Sequence, residues 1–109
     1  MARVTRGKTY PFKIYLTSDE ARVLNMYCDT NRVPKTTAIE TKLLELPELD
    51  GSAYYIGPRK FGPREGHAYC TSIYLGHHAN TLLFFHARQQ GISRNWLIRQ
   101  LVRELEDEI

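Results

Sequence analysis

The feature that most constrains this chain is an internal repeat with a spacing of 59 residues. Shifting the sequence by 59 aligns two segments without a gap and places identical residues at eight positions. Within the first copy these positions are Tyr10, Ile14, Tyr15, Leu16, Leu24, Ile39, Glu45 and Leu46. A repeat this short cannot bury its apolar face alone, so we expect the two copies to pack against each other.

Each copy begins with an alternating segment that predicts a strand. Apolar and polar side chains alternate over residues 12–17, which is the period of a strand with one buried face, and residues 71–75 repeat the alternation. Thr17, followed three residues later by Glu20, has the sequence of a capping box. A helix is therefore predicted from about Ser18 to Thr30.

A second helix is predicted in each copy. The first helix of the first copy is expected to end at Asn31-Arg32, with Asn31 taking the left-handed conformation, and Pro34 suits the first turn of the next helix. In the second copy, Gly91 predicts the end of one helix and Ser93 the cap of the next. The predicted apolar stripes of the second helices are Ala38, Ile39, Leu43 and Leu46, and Leu97, Ile98, Leu101, Val102 and Leu105.

The repeat divides the chain into four parts. Residues 1–9 form a basic arm, 10–46 the first unit, 47–68 a basic linker rich in Gly and Pro, and 69–109 the second unit. The net charge is +3, and positive charge is concentrated near the N-terminus, since residues 1–35 carry seven Lys/Arg against three Asp/Glu. This distribution favours an anionic partner.

Several classes of protein are disfavoured by the sequence. Cys28 and Cys70 form no CxxC pair and suit a reducing cytoplasm, and no apolar run has the length of a membrane span or signal peptide. The histidines show no recognised metal-ligand spacing, and no nucleophile–base pair or phosphate-binding glycine loop is present. We therefore expect a cytoplasmic protein (in the host cytoplasm if the protein is viral) that is not an enzyme and has no metal, cofactor or small-molecule ligand.

The order and spacing of these segments resemble the ribbon-helix-helix family of small DNA-binding regulators. In the first unit the matching segments are Leu16-Thr17-Ser18-Asp19-Glu20 and Val33-Pro34-Lys35-Thr36. In the second unit they are Leu75 and Gly91-Ile92-Ser93-Arg94-Asn95, in the same order and spacing. The resemblance implies an α+β fold, mostly α, with a two-stranded antiparallel ribbon over a four-helix core. Because both units lie in one chain, it implies an intramolecular pseudo-dimer, similar to tandem regulators of archaeal viruses.

The resemblance also implies which residues contact DNA. The outward-facing strand residues Lys13, Tyr15, Ser72 and Tyr74 would read base edges in the major groove, whereas the alternative is an ordinary solvated sheet face. The residues expected at phosphates, at the starts of the second helices and on the arm, are Lys35, Thr36, Ser93, Arg94, Asn95, Arg3, Arg6 and Lys8. Since Lys13 corresponds to Ser72, we expect an imperfect palindrome whose better-specified half lies under Lys13.

The expected function is sequence-specific binding of double-stranded DNA by a repressor or autoregulator. The alternatives are an antitoxin-like protein-interaction module and a plasmid or relaxase accessory protein. An antitoxin of this family usually continues in a long tail, whereas this sequence stops soon after its last predicted helix. The excess apolar surface at Leu82, Phe84 and Phe85 is expected to be covered either by the linker or by further copies that associate on adjacent DNA sites. The linker is slightly favoured, because its own apolar residues also need burial: Tyr54, Tyr55, Ile56 and Phe61.

Overall fold

The computed structural model describes residues 8–47, residue 60 and residues 69–108, so Arg3, Arg6 and most of the linker lie outside the described residues. The described residues form a mostly helical α+β fold, with one two-stranded antiparallel sheet and four α-helices. The elements, in chain order, are β1 (Tyr10–Leu16), α1 (Ser18–Asn31), α2 (Lys35–Leu44), β2 (Tyr69–Leu75), α3 (His77–Gln90), α4 (Arg94–Leu105) and a 3-10 turn (Glu106–Glu108).

The sheet is formed by the two predicted strands. β1 pairs antiparallel with β2, and Lys13 lies opposite Ser72 at the centre of the register. One face of the sheet packs on the helices, and four of its apolar side chains are fully or almost fully buried: Ile14, Leu16, Ile73 and Leu75. The predicted alternation is therefore confirmed, because a period of two places these apolar residues on a single face.

The capping box at the start of α1 and the end of that helix at Asn31-Arg32 are confirmed, but the residue expected in the left-handed conformation is wrong. Thr17 Oγ1 accepts from the Glu20 backbone N–H at 3.2 Å, and Glu20 Oε1 accepts from the Thr17 N–H at 2.9 Å. The left-handed residue is Arg32, with φ of 55°, rather than Asn31. Asn31 stays helical while its side-chain amide donates to the Tyr27 carbonyl at 3.0 Å.

The two second helices begin differently. Ser93 caps α4 as predicted, since its Oγ accepts from the Trp96 N–H at 3.0 Å, and α3 ends as predicted at Gly91, with φ of 68°. Pro34 occupies the N-cap position of α2 rather than its first turn. Because proline has no side-chain acceptor, this described helix starts without a side-chain cap.

The helices enclose one core against the sheet. α1 packs on α4 and α2 packs on α3, so each helix of the first segment contacts a helix of the second. The predicted stripe of α4 is completely buried, and Ala38, Ile39 and Leu43 of α2 are buried with it, whereas Leu46 is partly buried. Two charged residues that the stripes did not predict, Glu20 and Arg99, are also buried.

Candidate nucleic-acid interface

The outer face of the sheet brings together all four predicted strand residues. Lys13 and Ser72 are exposed, and Tyr15 and Tyr74 remain 44% and 51% exposed despite their size. Tyr15 lies two residues from Lys13 and Tyr74 two residues from Ser72. Because Lys13 pairs with Ser72, all four side chains project from the same face. Large aromatic side chains on an open sheet face are available for contact with another molecule.

The register arranges this outer face as three cross-strand pairs. Lys13 and Ser72 form the central pair, with Tyr15 opposite Cys70 at one end and Tyr74 opposite Pro11 at the other. The two tyrosines therefore lie at diagonally opposite ends of the face. Pro11 and Cys70 were missing from the predicted site, although each lies two residues from a predicted member and is exposed.

The beginnings of α2 and α4 are attached to the outer edges of the two strands. Asn95, in the first turn of α4, accepts from the Tyr15 N–H through Oδ1 at 2.8 Å and donates to the Tyr15 carbonyl through Nδ2 at 3.2 Å. Thr36, in the first turn of α2, accepts from the Tyr74 N–H through Oγ1 at 3.2 Å. Each helix start is thus joined to the backbone of an exposed tyrosine on the other sequence segment.

These helix starts are positively charged. The first residues are Lys35 in α2 and Arg94 in α4, and neither first turn contains an acidic residue. The helix dipole favours anions at these positions, so basic residues there add to the positive potential instead of neutralising it. The Arg94 guanidinium lies over the Phe12 ring at 4.8 Å from its centroid, and Lys8 Nζ lies 5.4 Å from the Tyr10 ring centroid.

Lys60 is a basic residue at this surface that the predicted site did not include. Its N–H donates to the Gly91 carbonyl and its own carbonyl accepts from the Ser93 N–H, both at 2.8 Å. This short parallel bridge to Ile92 places an exposed lysine beside the turn that starts α4. The basic composition of the linker indicated charge in this segment, but the contact joins residues 31 positions apart, from 60 to 91, which a local pattern cannot show.

Other charged groups serve internal contacts. Lys42 Nζ lies 3.1 to 3.7 Å from carboxylate oxygens of Glu45, Glu104 and Glu108. Burial lowers the pKa of Lys42, but these carboxylates outweigh it and the net pKa is raised.

Burial raises the pKa of the half-buried Cys28 thiol, which favours its neutral form. In the described residues, no group of three or more His, Cys, Asp or Glu side chains is arranged to hold a metal ion.

The remaining apolar prediction concerned α3. Leu82 is buried in the structure, whereas Phe84 and Phe85 are 43% and 36% exposed and meet edge to face at a centroid distance of 5.4 Å.

None of the described helices has the length and apolarity needed to cross a membrane. Comparisons with family models, with curated protein sequences and with solved structures find no match to this chain.

Proposed function

We propose that this protein is a sequence-specific, double-stranded DNA-binding transcription regulator that inserts its two-stranded ribbon into the major groove. The observation that carries the proposal is the outer face of the sheet. It presents Lys13, Tyr15, Ser72 and Tyr74 together, and it is flanked by two helix starts bearing Lys35 and Arg94. A sheet face with donors and aromatic rings between two positive helix starts is complementary to a groove bordered by phosphates.

The symmetry of the contacts supports a tandem pair of ribbon-helix-helix units. The central pair of the ribbon, Lys13 and Ser72, is separated by 59 residues, which is also the repeat spacing. The bond from Tyr15 to Asn95 and the bond from Tyr74 to Thr36 are related by the same shift. An approximate two-fold axis through the centre of the ribbon would relate the two units, so one chain would do what two chains do in a homodimer.

The dimensions of B-DNA fit this arrangement. The major groove is about 12 Å wide and admits a two-stranded ribbon, and each base pair presents a distinct pattern of donors and acceptors there. The Lys13 ammonium can donate to guanine, the Ser72 hydroxyl can donate or accept, and the tyrosines can contact bases through both ring and hydroxyl. Contacts made by these side chains would supply the sequence preference.

Phosphate contacts would fix the position of the ribbon in the groove. Lys35 and Arg94 would provide charge at the two helix starts, and Lys8 would extend the positive surface beyond the strand end. The hydroxyl of Ser93 already caps α4, so its contribution would come chiefly from placing the backbone N–H groups of that first turn. A protein bound in this manner would regulate transcription by occupying its site, as a repressor or autoregulator.

Selection of bound sequences from random DNA duplexes tests the proposal. We expect the wild-type protein to enrich one short, approximately palindromic motif, and the Tyr15→Ala/Tyr74→Ala variant to lose that enrichment while keeping its helical circular dichroism. Tyr69→Ala is a matched control, because Tyr69 is equally exposed, at 51%, but lies on β2 with the opposite parity to Tyr74. Equal loss in the control, or no enriched motif with wild-type protein, would contradict the proposal.

A further inference from the structure

The contacts of Asn95 and Thr36 indicate a role other than phosphate binding. A two-stranded sheet leaves the outer edge of both strands without a strand partner. At Tyr15 the Asn95 carboxamide pairs with both the N–H and the carbonyl, at 2.8 and 3.2 Å, as one residue of a third strand would. At Tyr74 the Thr36 hydroxyl pairs with the N–H alone, at 3.2 Å.

We propose that Asn95 and Thr36 are positioning residues, each of which fixes the backbone from which one base-contacting tyrosine projects. The inference rests on the proposed function and deepens it. Anchoring of a helix start at the DNA backbone would be transmitted to the tyrosine of the opposite unit, because the same helical turn bonds to that strand. A helix start that is misplaced on the DNA backbone would therefore displace the strand bonded to it. A helix start at its correct phosphate would hold that strand, and its tyrosine, in position.

The two attachments are unequal, and this inequality has a consequence for specificity. Asn95 makes two hydrogen bonds to Tyr15, and Thr36 makes one hydrogen bond to Tyr74. A side chain on a more firmly held backbone discriminates more sharply between correct and incorrect bases, since less displacement is available to relieve a mismatch. Base pairs under Tyr15 should therefore be specified more strictly than those under Tyr74.

The first test uses the free protein and measures amide hydrogen exchange by NMR. We expect Asn95→Ala to accelerate exchange of the Tyr15 amide by a factor of about 5 while leaving the Tyr74 amide unchanged. Thr36→Val, which keeps the side-chain shape, should accelerate exchange of the Tyr74 amide and leave the Tyr15 amide unchanged. An unchanged Tyr15 amide in a folded Asn95→Ala variant would overturn the inference, whatever the protein binds.

The second test measures affinity for every single-base variant of a selected duplex. We expect Asn95→Ala to reduce discrimination only at base pairs under Tyr15, and Asn95→Thr, which copies the single bond of Thr36, to restore it in part. Thr36→Asn should sharpen discrimination under Tyr74. Equal weakening of all duplexes would identify Asn95 as a phosphate contact and overturn the inference. If wild-type protein selects no duplex, the proposed function fails and the exchange measurement alone decides the positioning role.

Discussion

Glu20 Oε1 accepts a hydrogen bond from Arg99 Nε at 2.8 Å, and the two side chains are only 3% and 1% exposed. The second carboxylate oxygen of Glu20 accepts from Arg103 Nε at 2.7 Å. The Trp96 ring lies against both guanidinium groups, with centroid distances of 4.8 Å to Arg99 and 5.4 Å to Arg103. This cluster joins the first turn of α1 to α4.

The buried pair predicts strong energetic coupling between the two residues. Replacing Glu20 alone with Leu leaves the buried Arg99 guanidinium without the Glu20 carboxylate and should lower the free energy of unfolding by about 3–5 kcal/mol. Replacing Arg99 alone with Leu should cost less, because Glu20 keeps its hydrogen bond from Arg103. The double variant should lose much less than the sum, since it buries no unpaired charge. Urea denaturation of the four proteins measures this, and additive losses would contradict it. Asp19→Asn is the matched control, because the Asp19 carboxylate is 88% exposed.

Glu20 also predicts a loss of stability in acid. Burial by itself raises the pKa of Glu20, but hydrogen bonds from Arg99, the Thr17 N–H and Arg103 outweigh it, so the pKa is below its usual value. The unfolded chain, with a Glu pKa of about 4.3, therefore takes up a proton before the folded chain does. The stabilisation of the fold by the ionised Glu20 side chain is fully present above the pKa of the unfolded chain, and it is lost as the pH falls through the pKa of the folded chain.

Denaturation at a series of pH values from neutral to about 2.5 measures this contribution. We expect the wild-type free energy of unfolding to fall more steeply below about pH 4.3 than that of Glu20→Gln, which has no carboxylate to protonate. The difference between the two proteins should shrink as the pH decreases. A constant difference across the range would show that Glu20 has the same pKa in the folded and unfolded chains.

Local sequence rules predicted most of the secondary structure. Thr17 and Glu20 are three residues apart, Gly91 takes the left-handed conformation easily because it has no Cβ, and Ser93 caps a helix through its hydroxyl, so their roles follow from the sequence. Arg32 was not predicted as the left-handed residue. A non-glycine residue adopts that conformation only when surrounding contacts impose it, here including the Val33 N–H bond to the Cys28 carbonyl at 3.1 Å.

The candidate site was predictable to the extent that it depends on alternation. Lys13 and Tyr15 follow from the period of two, and the repeat then gives Ser72 and Tyr74. The contacts of Asn95 with Tyr15 and of Arg99 with Glu20 were not predictable, since 80 and 79 residues separate the partners. The repeat does not reveal the ion pair either, because the equivalents of Glu20 and Arg99 are Ala79 and Glu40.

Lys60 predicts an additional electrostatic contact on one side of the proposed DNA site. Its backbone is fixed to the turn before α4, so we expect its ammonium to add to the positive charge of Arg94 there. We expect Lys60→Ala to weaken binding to all duplexes alike and to lower the slope of log affinity against log salt by about one. Titrations at several salt concentrations measure this slope. Arg22→Ala, on α1, should leave it unchanged, and an unaltered slope in Lys60→Ala would exclude the contact.

The central pair of the ribbon predicts where the bound sequence departs from a palindrome. The sequence alone predicted that one half of the bound DNA sequence, the half under Lys13, is better specified. In the structure Lys13 lies directly opposite Ser72, so both side chains would project near the middle of the proposed DNA site. Lys13→Ala should cost about 1–3 kcal/mol of discrimination at one or two central base pairs, and Ser72→Ala should cost less because its hydroxyl is short. Lys13→Ser/Ser72→Lys should reverse which DNA strand carries the preferred base at those central base pairs, and it should leave the preference at the flanking base pairs unchanged. Affinities for all single-base variants measure these effects, and equal weakening of every variant by Lys13→Ala would show that the ribbon does not read bases.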